Sequence, residues 1–366
     1  IERRQNAMSS EMPAARIHGP GDVRLDTLSR PAIGPGDVLV AVMQCGICGS
    51  DLSYSKIGGL PGAASPFALG HEFAGVVAEV GPEVEGLSCG DRVVINPEGA
   101  GNGIGSDGHA GAFAPFLLFQ RVNDDPLAIQ RLPSNLDFEQ GALVEPLAVG
   151  MNAVERGAIG EADRVAIYGA GPVGLSAGIA ARQAGADVVI ADLSERRLEA
   201  AEELGLTPMP PAVDASEFLR ARHGTARDQR LGDLPGTDVY IEATGVGSVF
   251  QQILSTARRR ATVVVVGVQF APVELDMINL MLRELTITAS QAYDNGVFER
   301  VIAMLESGAV DTAPLISHRF PLHQFNEAFA QAADGQAAIK VMVNCEQWQD
   351  EDLDHQLDAG GPSGHA

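Results

Sequence analysis

Two rhythms divide the chain. Up to about residue 145, apolar residues come in short, partly alternating runs bounded by glycine and proline. DVLVAVMQCGI (37–47), EFAGVVAEVG (72–81) and GDRVVI (90–95) each predict a strand, and helical periodicity is scarce. The character changes near Leu147. From Glu161 onward strand and helix alternate: RVAIYGAG (164–171), PVGLSAGIAARQAG (172–185), DVVIAD (187–192) and SERRLEAAEELG (194–205), the last opening on a serine cap and closing on glycine. DVYIEATG (238–245) and ATVVVVG (261–267) are further buried strands around the helix VFQQILSTARRR (249–260). Such alternation predicts a doubly wound parallel sheet. Near Tyr293 it fades into a helix, NGVFERVIAML (295–305), and a last strand, AIKVMV (338–343), closes the ordered part. The fold class is therefore α/β: a β-rich domain, expected at 8–149 and 292–345, interrupted by a parallel-sheet domain at 150–291.

Composition narrows the function. The chain has 366 residues, 42 of them glycine, and a formal net charge of −23. That charge repels nucleic acid and anionic membrane, so neither is expected as a partner. It mildly favours neutral or cationic substrates. The scatter of only four cysteines, Cys45, Cys48, Cys89 and Cys345, fits a reducing cytoplasm and no disulfide scaffold. No signal peptide and no apolar run of about 18 residues is seen, so no membrane span is expected. Ile1–Ala7 precede Met8 and read as a tag remnant or upstream extension; 346–366 read as an acidic, partly disordered tail.

YGAGPVG supplies Gly169, Gly171 and Gly174 in G-x-G-x-x-G order after a strand and into a helix, with Pro172 and Val173 between them. The first glycine permits the turn, the second lets a pyrophosphate approach, and the third lets helix and strand pack closely. About 20 residues on, Asp192 ends the next strand, where a carboxylate accepts bonds from ribose hydroxyls and repels a 2′-phosphate. The expected cofactor is NAD, in a Rossmann domain. Arg196 and Arg197 nearby would soften the preference.

Cys45 and Cys48 form a C-x-x-C pair in QCGICGSD (44–51). As a redox pair it would open a helix beside a βαβ unit, whereas Gly46 and Gly49 discourage a helix here. As half of a structural zinc site it would need a second pair, and Cys89 and Cys345 are single. The third reading is one metal ligand with a bystander. His71 and Glu72 in GHEFAG and Glu145 in GALVEPLAVG are the other candidates, and such a mixed donor set suits zinc.

At this point the chain resembles the zinc-dependent medium-chain dehydrogenases/reductases of alcohol/polyol type, most like the sorbitol, butanediol and threonine dehydrogenase branches. The motifs that carry the resemblance are GICGSD, GHEFAGVVAEVG, GDRV, EPLAVG, GAGPVG, DVYIEATG, VVVVG and AIKV, in family order from about Val38 to Val343. The resemblance implies a GroES-like fold for the β-rich catalytic domain and makes Cys48 the ligand, Cys45 the bystander. His71, Glu72 and Glu145 complete the metal set, Glu145 as ligand or water-linked neighbour. Asp51 orients the histidine and Ser50 takes the substrate's hydroxyl proton. Thr244, Gly267, Arg197 and Lys340 fall at cofactor positions, and the assembly is a homodimer or homotetramer. Two departures stand out. INPEGAGNGIGSDGHAGAFA (95–114) lacks the family's four-cysteine lobe, so one catalytic zinc and no structural zinc is expected. Ser53 stands where a histidine often relays the proton outward.

The expected reaction is reversible, NAD-linked oxidation of a secondary alcohol, diol or polyol to a ketone, in the cleft outside the carboxyl ends of the parallel strands. The rivals are a metal-free enone or quinone reductase of the same superfamily, which would need no Cys48, His71 or Glu145, and a non-catalytic dinucleotide-binding protein.

Overall fold

The computed structural model describes residues 11–346 apart from 270 and 295. The segments read above as a tag remnant and, from residue 347, as a tail lie outside the described residues. Two compact units emerge. One holds the chain up to Leu143, His318–Ala333 and the residues from Val341; the other holds Val144–Ser317 and Asp334–Lys340. Their junctions fall at 144 and 318 instead of the expected 150 and 292. The reason is packing. The helix Val144–Arg156 lies against the helices Pro172–Gln183 and Val297–Glu306, so both ends of this segment stay with the parallel sheet.

The first unit is β-rich. Val38–Gly46 lies at the centre of its main sheet, paired antiparallel with Glu72–Val80, with Phe116–Phe119 and with the terminal strand Lys340–Asn344. Arg92–Ile95 and Ile129–Arg131 extend the sheet beyond Glu72–Val80. Its strands carry the expected apolar runs: Val38, Leu39, Val40 and Val42 are all buried. A smaller sheet, Glu11–Gly19 with Asp22–Ser29, contributes Met12 and Ala14 to a cluster with Leu39, Ala114 and Phe116.

The second unit is a six-stranded parallel sheet in the order Thr207–Met209, Asp187–Ala191, Arg164–Tyr168, Val239–Glu242, Thr262–Val265, Thr286–Ala289. Helices cover its strands, so Val165–Tyr168 and Val239–Glu242 are buried without alternation, as two-sided burial demands. Strand order reverses at Arg164–Tyr168, which makes the carboxyl ends of that strand and of Val239–Glu242 the switch point of the sheet. A short hairpin, Thr225–Asp228 with Gly232–Pro235, follows the helix Ala215–His223. At the opposite ends of the central strands, Asp238 takes hydrogen bonds from Arg164 (2.8 Å from Nε) and from Arg258. Burial alone would raise its carboxyl, but these two arginines outweigh it and pull it down to about 2. No helix of the described residues is long and apolar enough to cross a membrane.

Candidate active site

Strand register builds the metal site. Gly46 pairs with Glu72 and Cys45 with Phe73, so the end of one strand and the start of its neighbour lie side by side. Cys48 follows the first strand by two residues, and His71 precedes the second by one. One ligand atom each from Cys48, His71 and Glu72 come within 4.8 Å of one another. Tetrahedral ligands on one zinc stand about 3.5 Å apart, so a modest side-chain contraction would close the set. A thiolate, an imidazole and a carboxylate with a fourth position open is the donor chemistry of a catalytic zinc. The residues fit that metal.

Contrary to the expectation from Gly46 and Gly49, a helix does start here, Gly49–Ile57, with Cys48 as its N-cap. Propensity is overridden by capping: Asp51, in the first turn, accepts the Cys48 backbone N–H at 2.9 Å. Asp51 is fully buried and also accepts the Gly70 N–H at 3.3 Å. One carboxylate therefore fixes the peptide of Cys48 and the turn that delivers His71. Burial pushes the Asp51 carboxyl above its usual range; His71 is the largest opposing influence, while Glu72 adds to the rise.

His71 has two different neighbours. Nδ1 faces Asp51 Oδ1 at 3.7 Å, and Nε2 is 3.3 Å from Ser50 Oγ. A carboxylate on the Nδ1 side favours the proton there and leaves the Nε2 lone pair for a metal. Tyr54 lies one turn beyond Ser50; burial and then the nearby Cys48 and Asp51 charges push its phenol up, with Ser50 opposing the rise. The sequence signal for Tyr54 was the i, i+4 spacing from Ser50, legible only once a helix is accepted. Ser53 donates to the Gly49 carbonyl at 2.9 Å, within its own helix. Cys45 is buried in its strand, and neither Cys45 nor Cys48 forms a disulfide.

In the second unit Glu145 is buried in the first turn of the helix Val144–Arg156. There the fingerprint glycines fall into two kinds. Gly169 has φ +102°, and a Cβ on it would lie 2.9 Å from the Ala243 carbonyl; one on Gly174 would lie 1.7 Å from the Gly169 oxygen. Both are demanded by the fold. A Cβ on Gly171 would meet nothing nearer than Arg197 Nη1 at 3.8 Å, so the space above this turn is an open cradle at the start of a helix. Pro172 and Val173 open that helix. The cradle fits a dinucleotide pyrophosphate. Asp192 accepts the Ala170 N–H at 2.7 Å and the Ser194 N–H at 2.9 Å, with Arg197 Nη1 at 3.6 Å. Arg197 also donates to the Ala338 carbonyl at 3.0 Å. Arg196 donates to the Ser317 carbonyl. Lys340 is almost fully buried in its strand. Thr244 is exposed on the loop after Val239–Glu242, and Gly267 lies on the loop after Thr262–Val265.

Comparison with known proteins identifies the family. Residues 34–123 match the family described as alcohol dehydrogenase GroES-like domain, and residues 172–307 that described as zinc-binding dehydrogenase. Sorbitol dehydrogenase of Rattus norvegicus is 35% identical over 348 residues, which span 90% of this chain and 95% of the relative. Among solved structures, 2R,3R-butanediol dehydrogenase of Bacillus subtilis aligns with a TM-score of 0.79 at 30% identity, over 91% of this chain and 99% of that one. A Sinorhizobium meliloti 1021 protein described as a zinc-binding dehydrogenase and bound to NADP aligns with a TM-score of 0.78 at 28% identity, over 92% and 100%. With its GroES-like and Rossmann-type units and this extent of similarity, the chain belongs to the zinc medium-chain alcohol/polyol dehydrogenases.

Proposed function

We propose that this dehydrogenase oxidises a secondary hydroxyl of a diol or polyol to a ketone, reversibly, with NAD and a single zinc ion. The observation that carries the reading is the convergence of Cys48, His71 and Glu72 beside Ser50. Zinc, when bound, supplies Lewis acidity towards an alcohol oxygen, and the nicotinamide supplies the hydride acceptor. The chain's own groups do the rest. Cys48, His71 and Glu72 would hold the metal, with Glu145 as a further carboxylate. Asp51 orients His71, and Ser50 Oγ takes the hydroxyl proton. With Ser53 bonded to its own helix, the nearby Tyr54 hydroxyl is the group proposed to take the proton on from Ser50.

The Gly171 cradle would take the pyrophosphate, and Asp192 the adenosine ribose. Lys340, Thr244 and Gly267 are assigned to the same cofactor. NAD is chosen over NADP because the Asp192 carboxylate would repel a 2′-phosphate, with Arg197 as the moderating charge. One metal per chain is proposed because residues 95–114 carry no cysteine where the family often has a four-cysteine lobe. Sorbitol and butanediol dehydrogenases as relatives support the diol or polyol class. A reducing, cytoplasmic setting is proposed from the small number and scatter of the cysteines in the sequence. The assembly is taken to be a homodimer or homotetramer, as the resemblance to this family implies.

The test is zinc content by elemental analysis with an NAD-linked screen of diols and polyols. About one zinc per chain, lost in Cys48→Ala, Glu145→Ala assayed alongside, together with NAD reduction by a vicinal diol or polyol, is the expected result. Full zinc and full turnover in Cys48→Ala would sink the reading. Equal kcat/KM with NAD and NADP would remove the cofactor assignment alone.

A further inference from the structure

Glu242 ends the strand Val239–Glu242 at the switch point and is fully buried. Its carboxylate collects donors from two loops. Oε1 accepts the Thr244 N–H at 2.7 Å, the Thr244 hydroxyl, and the Gly245 N–H at 3.0 Å. Oε2 accepts Gln269 Nε2 at 3.3 Å. None of these four donors is a cation. The backbone carbonyl of the same residue takes the N–H groups of Val266 and Gly267, each at 2.9 Å. One residue thus ties the loop that follows its own strand to the loop that follows the next.

The fit between those loops is tight. A Cβ on Gly267 would lie 2.2 Å from the Gly245 nitrogen and 2.8 Å from Glu242 Oε2. The first loop in turn presses on the fingerprint, since Ala243 and Thr244 fill the space where a Gly169 side chain would stand. Thr244 itself remains exposed, held from behind. In a doubly wound sheet the two halves of a dinucleotide lie on opposite sides of the switch point. Asp192 is on one side, and Glu242 with its two loops is on the other.

We propose that Glu242 is a positioning residue for the nicotinamide half of the cofactor: it locks the Thr244 and Gly267 loops into one surface that receives it. This rests on the dinucleotide reading above. Glu242→Gln keeps the volume but removes the charge and turns an N–H2 donor towards a donor that one carboxylate oxygen had accepted, and a buried hydrogen bond to a charged group is costly to lose. The cost falls on the nicotinamide side, because the groups that Glu242 holds belong to the two loops there: Thr244, Gly245, Gln269, Val266 and Gly267.

The experiment compares binding of NADH, followed by fluorescence, with binding of 5′-AMP, followed by calorimetry, alongside zinc content and thermal midpoint. NADH affinity in Glu242→Gln should fall roughly tenfold or more while AMP affinity and zinc content hold. Should that variant fail to fold, Gln269→Leu removes only the donor to Oε2 and should weaken NADH by a few-fold with AMP unchanged. Unchanged NADH binding in a folded Glu242→Gln would overturn the proposal. So would an equal loss of NADH and AMP, which marks a general structural effect. A wild-type protein that binds neither ligand would overturn the dinucleotide reading, and this proposal with it; AMP binding without any gain from the nicotinamide half would overturn the proposal alone.

Discussion

Cys45 and Cys48 are the same residue type three positions apart, and the backbone gives them opposite fates. Cys45 points into the core from a strand, while Cys48 caps a helix whose first turn faces His71. The candidate set Cys48, His71 and Glu72 was legible because ligand types clustered around two short motifs; what the sequence concealed was the helix between them. Two glycines argued against it, and a single carboxylate, Asp51, reversed that argument by capping Cys48 and holding Gly70. Ser50 gains its place from the same turn. Ser50→Ala should retain zinc and NADH binding yet lower kcat by roughly 10²–10⁴-fold, as removal of a proton acceptor does, with KM little changed. Steady-state kinetics on the zinc-replete variant decides it; a loss of zinc instead would show Ser50 acting through His71. A second residue-scale consequence concerns His223, which is buried and bonded through Nδ1 to Thr237 at 2.9 Å. Burial above all lowers its pKa, Arg164 and Arg222 acting the same way against Asp187 and Asp238. The native ring refuses a proton that the unfolded ring takes up below about pH 6.5. Stability should therefore be flat above that pH and fall as pH drops through it towards the native pKa, by at most about 1.4 kcal/mol per unit. In His223→Gln, thermal midpoints measured between pH 7 and pH 5 should lose that slope.

Among the elements, the parallel sheet was the most legible part. Its inner strands are buried on both faces, and the uninterrupted runs RVAIY, DVVIA and TVVVV announce this directly. Elements that alternate less strongly were harder to read. The hairpin Thr225–Pro235 is polar and mostly exposed, and the helix Val144–Arg156 looked like the end of a β-rich region because Pro146 and Gly150 interrupt it. Its Gly150 is there for contact: a Cβ would lie 2.4 Å from the Ala177 nitrogen of the neighbouring helix. The same logic separates the fingerprint glycines. Gly174→Ala would drive a methyl into the Gly169 oxygen and should destabilise the whole unit by several kcal/mol. Gly171→Ala meets only open space at an unstrained φ of −71°, so the fold should survive with its thermal midpoint near wild type. Its NADH affinity should nevertheless drop by an order of magnitude or more, because the methyl occupies the pyrophosphate's approach. Paired melting and NADH titration of the two variants test this. Normal NADH binding in Gly171→Ala would remove the cradle from the cofactor site.

For the whole molecule, a charge of −23 opposes self-association, and yet one surface invites it. Thr286–Ala289 ends the parallel sheet with one edge unpaired among the described residues. Just before it, the helix Met277–Arg283 turns Met277, Ile278 and Met281 outward, each more than 60% exposed, with Leu275 and Leu282 beside them. Most of the large exposed apolar residues of the described chain fall between Val246 and Leu282. An apolar patch next to an open sheet edge is what a two-fold pairing of identical surfaces covers, and natural edges are seldom left bare. This surface is the basis for expecting a homodimer, or a tetramer built from such dimers. Nothing in the sequence motifs pointed to it, because amphipathic helices ordinarily bury their apolar face and only the structure tells which one does not. The double variant Met277→Lys, Met281→Lys places two charges on each side of the pairing and should yield monomers in sedimentation equilibrium, with zinc content unchanged. Added salt supplies an independent check of sign. It screens the repulsion between two anionic copies and strengthens apolar contact, so the wild-type association constant should rise between about 0.05 and 0.5 M salt. A fall over that range would mean that ion pairs, not this apolar face, hold the copies together.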